Sequence, residues 1–348
     1  MRWDLQLSTG AEYDSNIHRF EQGGGRDDLI GGAALYRGVL RLNTRWRASK
    51  SQRFAFSGLA GAKLYGPDQF DNFDSSPDEN VSILGADGRY ERSLPGRDTV
   101  LSARASIYDT SHIGAGTSFV EPRHFTIGGG DLGVTMVGPE QHRLTATAGY
   151  RNFLYQPDER FDWQGDRYGL RFETTRWLGD PDQDLDAASL DIDVSYALQR
   201  RFHGRDPTGF RRVDLFHLAA IQAVYTGNRI FSGSYELQVT DSNTRGFSFI
   251  RQRLQLGVTT ELLAEVFLTV EATIQLDIFL DDVLLDSGVG ETIDDENRNA
   301  VSAHLSRALT PAWTGELRYA LYLSQFTDDV RQYQRQILYA GVVYQYTP

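Results

Sequence analysis

The most regular pattern in the chain runs from Glu265 to Leu280, where apolar and polar residues alternate. Its apolar positions are Val266, Leu268, Val270, Ala272, Ile274, Leu276, Ile278 and Leu280. Because successive side chains of a β-strand point to opposite faces, this run predicts a strand with one apolar and one polar face. Strands of soluble sheets usually span about five or six residues, and strands that cross a bilayer span about nine to eleven. The length therefore favours a membrane-spanning strand whose apolar face meets lipid.

Similar alternation recurs along the whole chain and predicts about sixteen strands joined by connections that mostly alternate between long and short. The predicted strands are 3–14, 35–48, 53–65, 81–92, 99–108, 123–137, 142–153, 163–177, 189–198, 213–225, 231–240, 247–260, 265–280, 300–308, 315–324 and 334–346. Long outer loops, short periplasmic turns and an even strand number are typical of outer-membrane barrels. The sequence thus predicts an all-β fold, a transmembrane antiparallel up-and-down β-barrel that occupies residues 1–348 as a single domain.

Other fold classes fit the pattern less well. A soluble β-sandwich would show shorter strands at a spacing of about 8–12 residues. A β-propeller would show a repeated blade motif, and the chain has none. No run approaches the roughly 18 apolar residues of a transmembrane helix. The aromatic content of 12%, with 17 Tyr and 19 Phe, fits the aromatic girdles of a barrel.

Composition narrows the function further. The chain has no cysteine, which excludes disulfides and cysteine-based metal sites, and its net charge of −12 argues against nucleic acid as a partner. Ser302 and His304 share a strand face, but no acid is placed in the sequence to orient the histidine. We therefore expect no enzyme activity, no metal and no cofactor. The strand-like sequence directly after Met1 favours a mature, exported chain.

The polar faces of the predicted strands carry an uneven distribution of charge. The first half contributes mainly Arg37, Arg41, Arg45, Arg47, Lys63, Arg89, Arg104, Arg151, Arg167 and Arg171, against Asp87, Glu91 and Glu173. The second half contributes Asp191, Asp193, Glu236, Glu271 and Asp277, with Arg251 and Arg253 as exceptions. Because sequential strands are neighbours in such a barrel, these sets predict a basic wall that faces a more acidic wall across the lumen.

We predict that a transported solute passes along a subset of these charged residues. The predicted path consists of Arg37, Arg41, Arg45, Arg47, Arg104, Arg167, Arg171, Asp191, Asp193, Arg251, Arg253 and Glu271. A charged lumen selects solutes by charge, and guanidinium groups bind carboxylates or phosphates in bidentate fashion. The alternative is that these side chains pair across strands and only stiffen the wall. The long loops 66–80 and 281–299 could also fold inward, so the sequence leaves open whether the lumen is open or plugged.

The stretch AEYDSNIHR, Ala11 to Arg19, resembles a signature near the start of outer-membrane barrels of the exopolysaccharide and capsule export type. This is the barrel portion of polysaccharide secretion porins. The resemblance implies a pore for a polysaccharide chain, a separate periplasmic export partner, and lumenal arginines that guide an anionic glycan. The stretch VTDSN, Val239 to Asn243, repeats part of the signature. Asp, Ser and Asn also favour turns by bonding to their own backbone, so the repeated letters fit strand-end chemistry as well.

The sequence thus predicts an integral protein of the bacterial outer membrane that exports a polysaccharide. A diffusion porin for small charged solutes is the first alternative. A plugged structural or adhesion barrel that acts through its surface loops is the second. Expected partners are outer-membrane lipid and lipopolysaccharide, a periplasmic export protein and the polysaccharide itself, while the oligomeric state stays open.

Overall fold

The computed structural model describes residues 1–16, 31–68, 80–112, 124–139, 142–156, 159–179, 187–205, 210–244, 247–263, 265–280, 299–325 and 332–347. Within these residues the chain forms one short 3-10 helix, Glu159–Phe161, and sixteen β-strands. The strands are β1 (Arg2–Asp14), β2 (Ala33–Arg47), β3 (Gln52–Asp68), β4 (Val81–Ser93), β5 (Thr99–His112), β6 (His124–Val137), β7 (Arg143–Gln156), β8 (Trp163–Trp177), β9 (Ser189–Arg205), β10 (Arg211–Thr226), β11 (Ile230–Ser242), β12 (Phe249–Leu263), β13 (Val266–Phe279), β14 (Asn299–Thr310), β15 (Trp313–Gln325) and β16 (Gln332–Tyr346).

The sixteen strands form one closed barrel in which each strand pairs antiparallel with its neighbours in the chain. The ring closes where β16 pairs antiparallel with β1, from Leu5 opposite Tyr346 to Asp14 opposite Ile337. Closure leaves no exposed sheet edge, which a bilayer requires because it offers no water to unpaired backbone groups. The predicted fold is therefore confirmed. Among the described residues, no helix has the length and hydrophobicity to span a membrane.

The two ends of the barrel differ in their connections. At the end that holds both termini, short connections such as 48–51, 94–98, 227–229 and 311–312 join consecutive strands. At the other end the strands are farther apart in sequence, with 18 residues between Asp14 and Ala33. Short turns and chain termini lie on the periplasmic side of outer-membrane barrels, which fixes the orientation.

The outer surface of the barrel is apolar. On β13, the predicted apolar face is the exposed one, with Ile274 61% exposed and Leu276 55% exposed. On β6 the equivalent residue Leu132 is 68% exposed. Buried side chains such as Phe153 and Phe216 instead occupy the opposite strand face, inside the barrel. An apolar exterior on a closed barrel is the arrangement that a lipid environment stabilises.

Aromatic rings pack across neighbouring strands near the periplasmic ends. Trp46 stacks on Phe54 with ring centroids 5.2 Å apart, and Phe54 contacts Tyr90 at 4.8 Å. A few strands further round the ring, Trp313 on β15 and Tyr344 on β16 lie 4.9 Å apart. Amphipathic and aromatic rings favour the boundary between hydrocarbon and headgroups, so these clusters mark the inner edge of the membrane.

Outward-facing tyrosines farther along the strands reach polar side chains one strand away. Their hydroxyls contact an amide or imidazole in four pairs: Tyr150 with Gln164 at 2.8 Å, Tyr196 with His217 at 2.7 Å, Tyr235 with Gln252 at 3.0 Å, and Tyr319 with Gln336 at 3.4 Å. Because hydrocarbon offers no partner to a phenol, these contacts satisfy hydroxyls on the lipid-facing surface. A closed barrel with an apolar exterior and aromatic clusters at its periplasmic edge is an integral protein of the outer membrane.

A buried ion pair connects β1 and β16, the two strands that close the barrel. The guanidinium of Arg335 on β16 donates to both carboxylate oxygens of Asp14 on β1, with Nη2 2.6 Å from Oδ2 and Nε 3.0 Å from Oδ1. Both side chains are almost fully buried. Bidentate geometry and additional hydrogen bonds are what make burial of two charges tolerable. This pair therefore fixes the register of β16 against β1.

The residues of both DSN stretches hold strand ends to neighbouring strands. Asn16 donates its side-chain amide to the Gln334 carbonyl oxygen at 3.3 Å. Asn243 donates likewise to the Arg211 carbonyl oxygen at 3.1 Å and accepts from the Val213 amide at 2.8 Å. In both copies an asparagine side chain replaces a backbone partner where the ladder ends. Turn and strand-end chemistry thus explains the repeated letters.

Candidate functional site: the barrel lumen

The predicted path residues all share one side of the barrel wall. By strand register, each of the twelve lies on the face opposite the apolar exterior, and this face lines the interior, or lumen. Arg104 and Arg171 are each 53% exposed there. The prediction that these positions are lumenal is therefore consistent with the structure. Whether a solute follows them stays a prediction.

Several cations of the first half are held by carboxylates on neighbouring strands. Arg104 Nε lies 2.6 Å from Asp87 Oδ2, and Arg171 Nε lies 2.6 Å from Asp193 Oδ2. Arg37 lies 3.3 Å from Glu12, whose buried carboxylate also accepts from Lys63. Charge-assisted hydrogen bonds of this length restrain the guanidinium groups against the wall.

The acids of the second half are matched in the same way, and this corrects the sequence-based picture of a distinct acidic wall. Arg251 binds Asp277 through two hydrogen bonds of 2.8 and 3.0 Å. Arg253 lies 2.8 Å from Glu236. The sequence predicted the face of each residue, but the pairing depends on strand register, which alternation alone does not determine. The charge contrast across the lumen is therefore smaller than expected.

Some lumenal charges keep no ionic partner among the described residues. Arg41 and Arg45 on β2 are exposed and make no ion pair there. Arg47, the fourth member of this predicted row, instead donates to the carbonyl oxygens of Ser49 and Lys50 in the adjoining turn, at 3.3 Å each. Arg41 and Arg45 thus present guanidinium groups to the lumen without an ionic partner among the described residues, and Arg47 stabilises a turn.

Unpaired acids lie elsewhere on the ring. Asp191 on β9 is exposed and accepts a hydrogen bond from the Thr175 hydroxyl, and Glu271 on β13 is exposed without an ion pair among the described residues. In a ring of sixteen, β9 is seven strands from β2, nearly opposite. The sequence predicted that basic and acidic residues lie on opposite walls. In the structure, unpaired groups such as Arg41 and Arg45 on β2 and Asp191 on β9 retain this separation.

Two glycines allow Arg151 to lie flat against the wall. A Cβ at Gly129 would lie 2.8 Å from Cδ of Arg151, and one at Gly149 would collide with the carboxylate of Asp131. In the space they leave, Arg151 Nη2 binds Asp131 at 2.9 Å and Nη1 reaches Ser106 at 3.2 Å. Sequence reasoning placed Arg151 among the lumenal cations but did not include it in the path. The available signal was the stretch GGGD, Gly128 to Asp131, because glycine within a strand often marks a place where a neighbouring chain segment approaches closely.

Ser302 and His304, which share a strand face, do not form a catalytic site in the described part of the chain. The structure does place an acid near His304, contrary to expectation, since Glu316 Oε1 lies 3.7 Å from its Nε2. That distance is too long for a hydrogen bond, and the same carboxylate accepts from Arg318 at 2.6 Å. The geometry provides no oriented base for Ser302.

Several predictions concern residues outside the described ranges. They include 69–79 and 281–298 of the two loops proposed to fold inward, and 17–19 of the export signature. Among the residues that are described, no group of three or more His, Cys, Asp or Glu side chains could hold a metal ion.

The apolar exterior, the aromatic clusters near the periplasmic ends and the charged interior define the class: an integral outer-membrane β-barrel with a polar lumen. Among solved structures, CdiB from Acinetobacter baumannii is similar, with a TM-score of 0.53 and 10% identity over 99% of this chain and 60% of that chain. OccAB2 from the same organism matches at TM-score 0.48 and 10% identity, over 99% and 98% of the two chains. OprD from Pseudomonas aeruginosa matches at 0.47 and 11%, over 100% and 94%.

At these identities the likeness to CdiB shows a shared fold only. The chain spans 60% of the length of that protein. No protein-family profile matches the sequence, and no curated protein matches it significantly. The function must therefore be inferred from the lumen of this chain.

Proposed function

We propose that this barrel is a channel through which small polar solutes diffuse across the outer membrane, with a preference for anions. Barrels of 16–18 strands are wide enough to leave an aqueous channel. The observation that carries the proposal is the pair Arg41 and Arg45, which face the lumen, are exposed, and have no ionic partner among the described residues.

The preference for anions follows from electrostatics in a confined space. Charges in a narrow, low-dielectric channel focus the electric field and raise the local concentration of counter-ions. Most lumenal charges cancel in pairs, so the unpaired groups dominate the field. Arg41 and Arg45 share one strand and attract anions along it, whereas the acids without an ion pair among the described residues, such as Asp4, Asp191 and Glu271, lie on different strands.

Export of a polysaccharide is the less supported proposal. The residues that suggested it, Asp14 and Asn16, are buried and bind β16 rather than line a path. Their role in closing the barrel accounts for them without a glycan. A deletion strain that loses its surface polysaccharide would favour export over diffusion, and retention of the polysaccharide would favour the diffusion channel.

Planar-bilayer recording tests the proposed channel. We expect the Arg41→Glu, Arg45→Glu double variant to lower the anion-to-cation permeability ratio below one, because it reverses the unpaired charge on β2. Arg92→Glu is the matched control, because Arg92 is an exposed arginine on the outward face of β4 near the periplasmic end. That control should change the ratio far less.

Two outcomes would contradict the proposal. An unchanged permeability ratio in the double variant would show that Arg41 and Arg45 do not set the selectivity. The absence of any current, including from variants shortened in the loops at 69–79 and 281–298, would favour a plugged structural or adhesion barrel.

A further inference from the structure

We infer that Arg167 on β8 is the centre of an oxyanion-binding site in the lumen, which takes the carboxylate or phosphate group of a solute. The inference deepens the proposed function. It rests on that function in one respect, because the bound solute is taken to be one that passes through the channel. Arg167 faces the lumen and is half-buried, and its guanidinium group makes no ion pair or hydrogen bond with any described residue. A guanidinium group has five donors and no acceptor, so this position offers donors only.

Three lumenal arginines near Arg167 differ from it in having a carboxylate partner. Arg104 is paired with Asp87, Arg171 with Asp193, and Arg151 with Asp131. On β8 itself, the residues two positions before and after Arg167 on the same face are Gly165 and Gly169. Neither has a side chain that could cover the guanidinium. Unlike these three, the Arg167 guanidinium has no carboxylate partner in the part of the chain that the structure describes.

The charges around Arg167 are mostly positive. The positive charges of Arg151, Arg104 and Arg201 act repulsively on Arg167, and Asp131 attracts it only from beyond ion-pair distance. A half-buried cation among like charges is destabilised unless an anion joins it. A carboxylate or phosphate supplies the missing acceptors, and its planar or tetrahedral oxygens match the guanidinium fork.

A row of paired residues shows where the anion would bind. Cross-strand register connects Arg104, Asp131, Gly149 and Arg167 on β5 to β8. The carboxylate of Asp131 contacts Gly149 and is engaged by Arg151, so it stops one strand short of Arg167. The oxyanion would occupy the lumenal side of Arg167, with Arg151 on the neighbouring strand adding its field.

Isothermal titration of the detergent-solubilised barrel tests the site without requiring conduction. The probes are inorganic phosphate and succinate, with uncharged glycerol as the negative probe, in a phosphate-free buffer. We expect Arg167→Gln to weaken binding of both anions at least about tenfold, as loss of one charge-assisted contact does. Arg167→Lys keeps the charge but loses the fork, so it should bind with intermediate affinity. Arg143→Gln is the matched control, because Arg143 is a lumenal, exposed arginine at the periplasmic end of β7.

Thermal unfolding separates an anion site from a structural arginine. Without added anion, Arg167→Gln should unfold at the same temperature as the wild type or a higher one, because repulsion is relieved. Phosphate should raise the unfolding temperature of the wild type and leave that of Arg167→Gln unchanged. A lower unfolding temperature for Arg167→Gln without anion, or equal anion affinity in Arg167→Gln and the wild type, would overturn the inference.

Failure of the proposed channel would look different. A barrel that binds phosphate through Arg167 but passes no current retains the site and disproves permeation. A barrel that conducts, but in which Arg167→Gln and Arg143→Gln reduce anion affinity equally, retains the channel and disproves the site.

Discussion

At the scale of single residues, the fold depends on a few side chains that no strand pattern marks. Asp14 and Arg335 are 321 positions apart in sequence and form the buried pair that closes the ring. Removing one partner takes a bidentate contact from a buried charge, which costs far more than the pair contributes. Sequence reasoning noticed Asp14 as part of a signature and did not consider Arg335, because nothing in the alternation connects the two.

We predict that Asp14→Asn lowers the free energy of unfolding by about 3–5 kcal/mol, since Arg335 keeps its buried charge but loses the bidentate carboxylate of Asp14. Equilibrium unfolding in urea, with the barrel folded into lipid vesicles, measures the change. Glu91→Gln is the control, because it breaks the exposed pair with Arg89 and should cost less than about 1 kcal/mol. Equal effects of the two substitutions would contradict a specific role for the closing pair.

The same closing strands contain a steric requirement. Tyr339 lies over two glycines of the closing strands, and a Cβ at Gly10 would come 2.8 Å from Cε2 of its ring. A Cβ at Gly341 would collide with the same ring and would lie 2.6 Å from the Thr9 carbonyl oxygen. The hydroxyl of Tyr339 is 3.2 Å from that of Ser8, which holds the ring against the wall. Glycine at these positions is therefore required by the close approach of a side chain and the neighbouring backbone.

We expect Gly341→Ala to destabilise the barrel by about 1–3 kcal/mol, the usual cost of overpacking. Gly88→Ala is its matched control on β4, since a Cβ there would have no atom within 4 Å. Urea unfolding of both variants against the wild type measures the difference. If Gly341→Ala were as stable as Gly88→Ala, the close packing of Tyr339 at the seam would be disproved.

At the scale of elements, alternation predicted strands well wherever the outer face of the wall is apolar and the lumenal face is polar. The predicted run 265–280 corresponds to β13, Val266–Phe279. The prediction 189–198 stopped short of β9, which continues to Arg205. Beyond Leu198 the outward position Arg200 is charged and pairs with Asp166 at 2.7 Å. The strand extends above the lipid there, so its outer face turns polar and the alternation that marked it ends.

The apolar exterior gives an element-scale prediction on β12. Leu256 is its central residue, is 53% exposed and faces outward, whereas the adjoining Gln255 faces the lumen. We expect Leu256→Arg to destabilise the folded barrel by about 2–4 kcal/mol, because it places a charge at the bilayer midplane. Gln255→Arg adds the same charge on the lumenal face and should cost much less. Vesicle-based unfolding measures both, and similar costs would contradict the assignment of the two faces.

At the scale of the whole molecule, the sequence predicted which side chains enter the lumen but not which of them stay unpaired. Arg41 and Arg104 look alike in the sequence, as lumenal arginines on polar strand faces. Register places Asp87 next to Arg104 and leaves Arg41 without a carboxylate among the described residues. A shift of one residue in strand register changes every cross-strand neighbour. The balance of charge in the lumen can therefore be determined only from the closed barrel and not from the sequence.

This balance predicts how selectivity depends on salt. If the unpaired charges act through the field of the lumen, the anion preference should be strong at 0.1 M salt, where the Debye length is about 10 Å, and weak at 1 M, where it is about 3 Å. Reversal potentials measured under equal salt ratios at both concentrations report the preference. Direct coordination at Arg167 is screened less than a long-range field, so succinate should still slow chloride current at 1 M salt. A preference that stayed constant across this range would assign selectivity to coordination alone, and the Arg41→Glu, Arg45→Glu variant would then leave it intact.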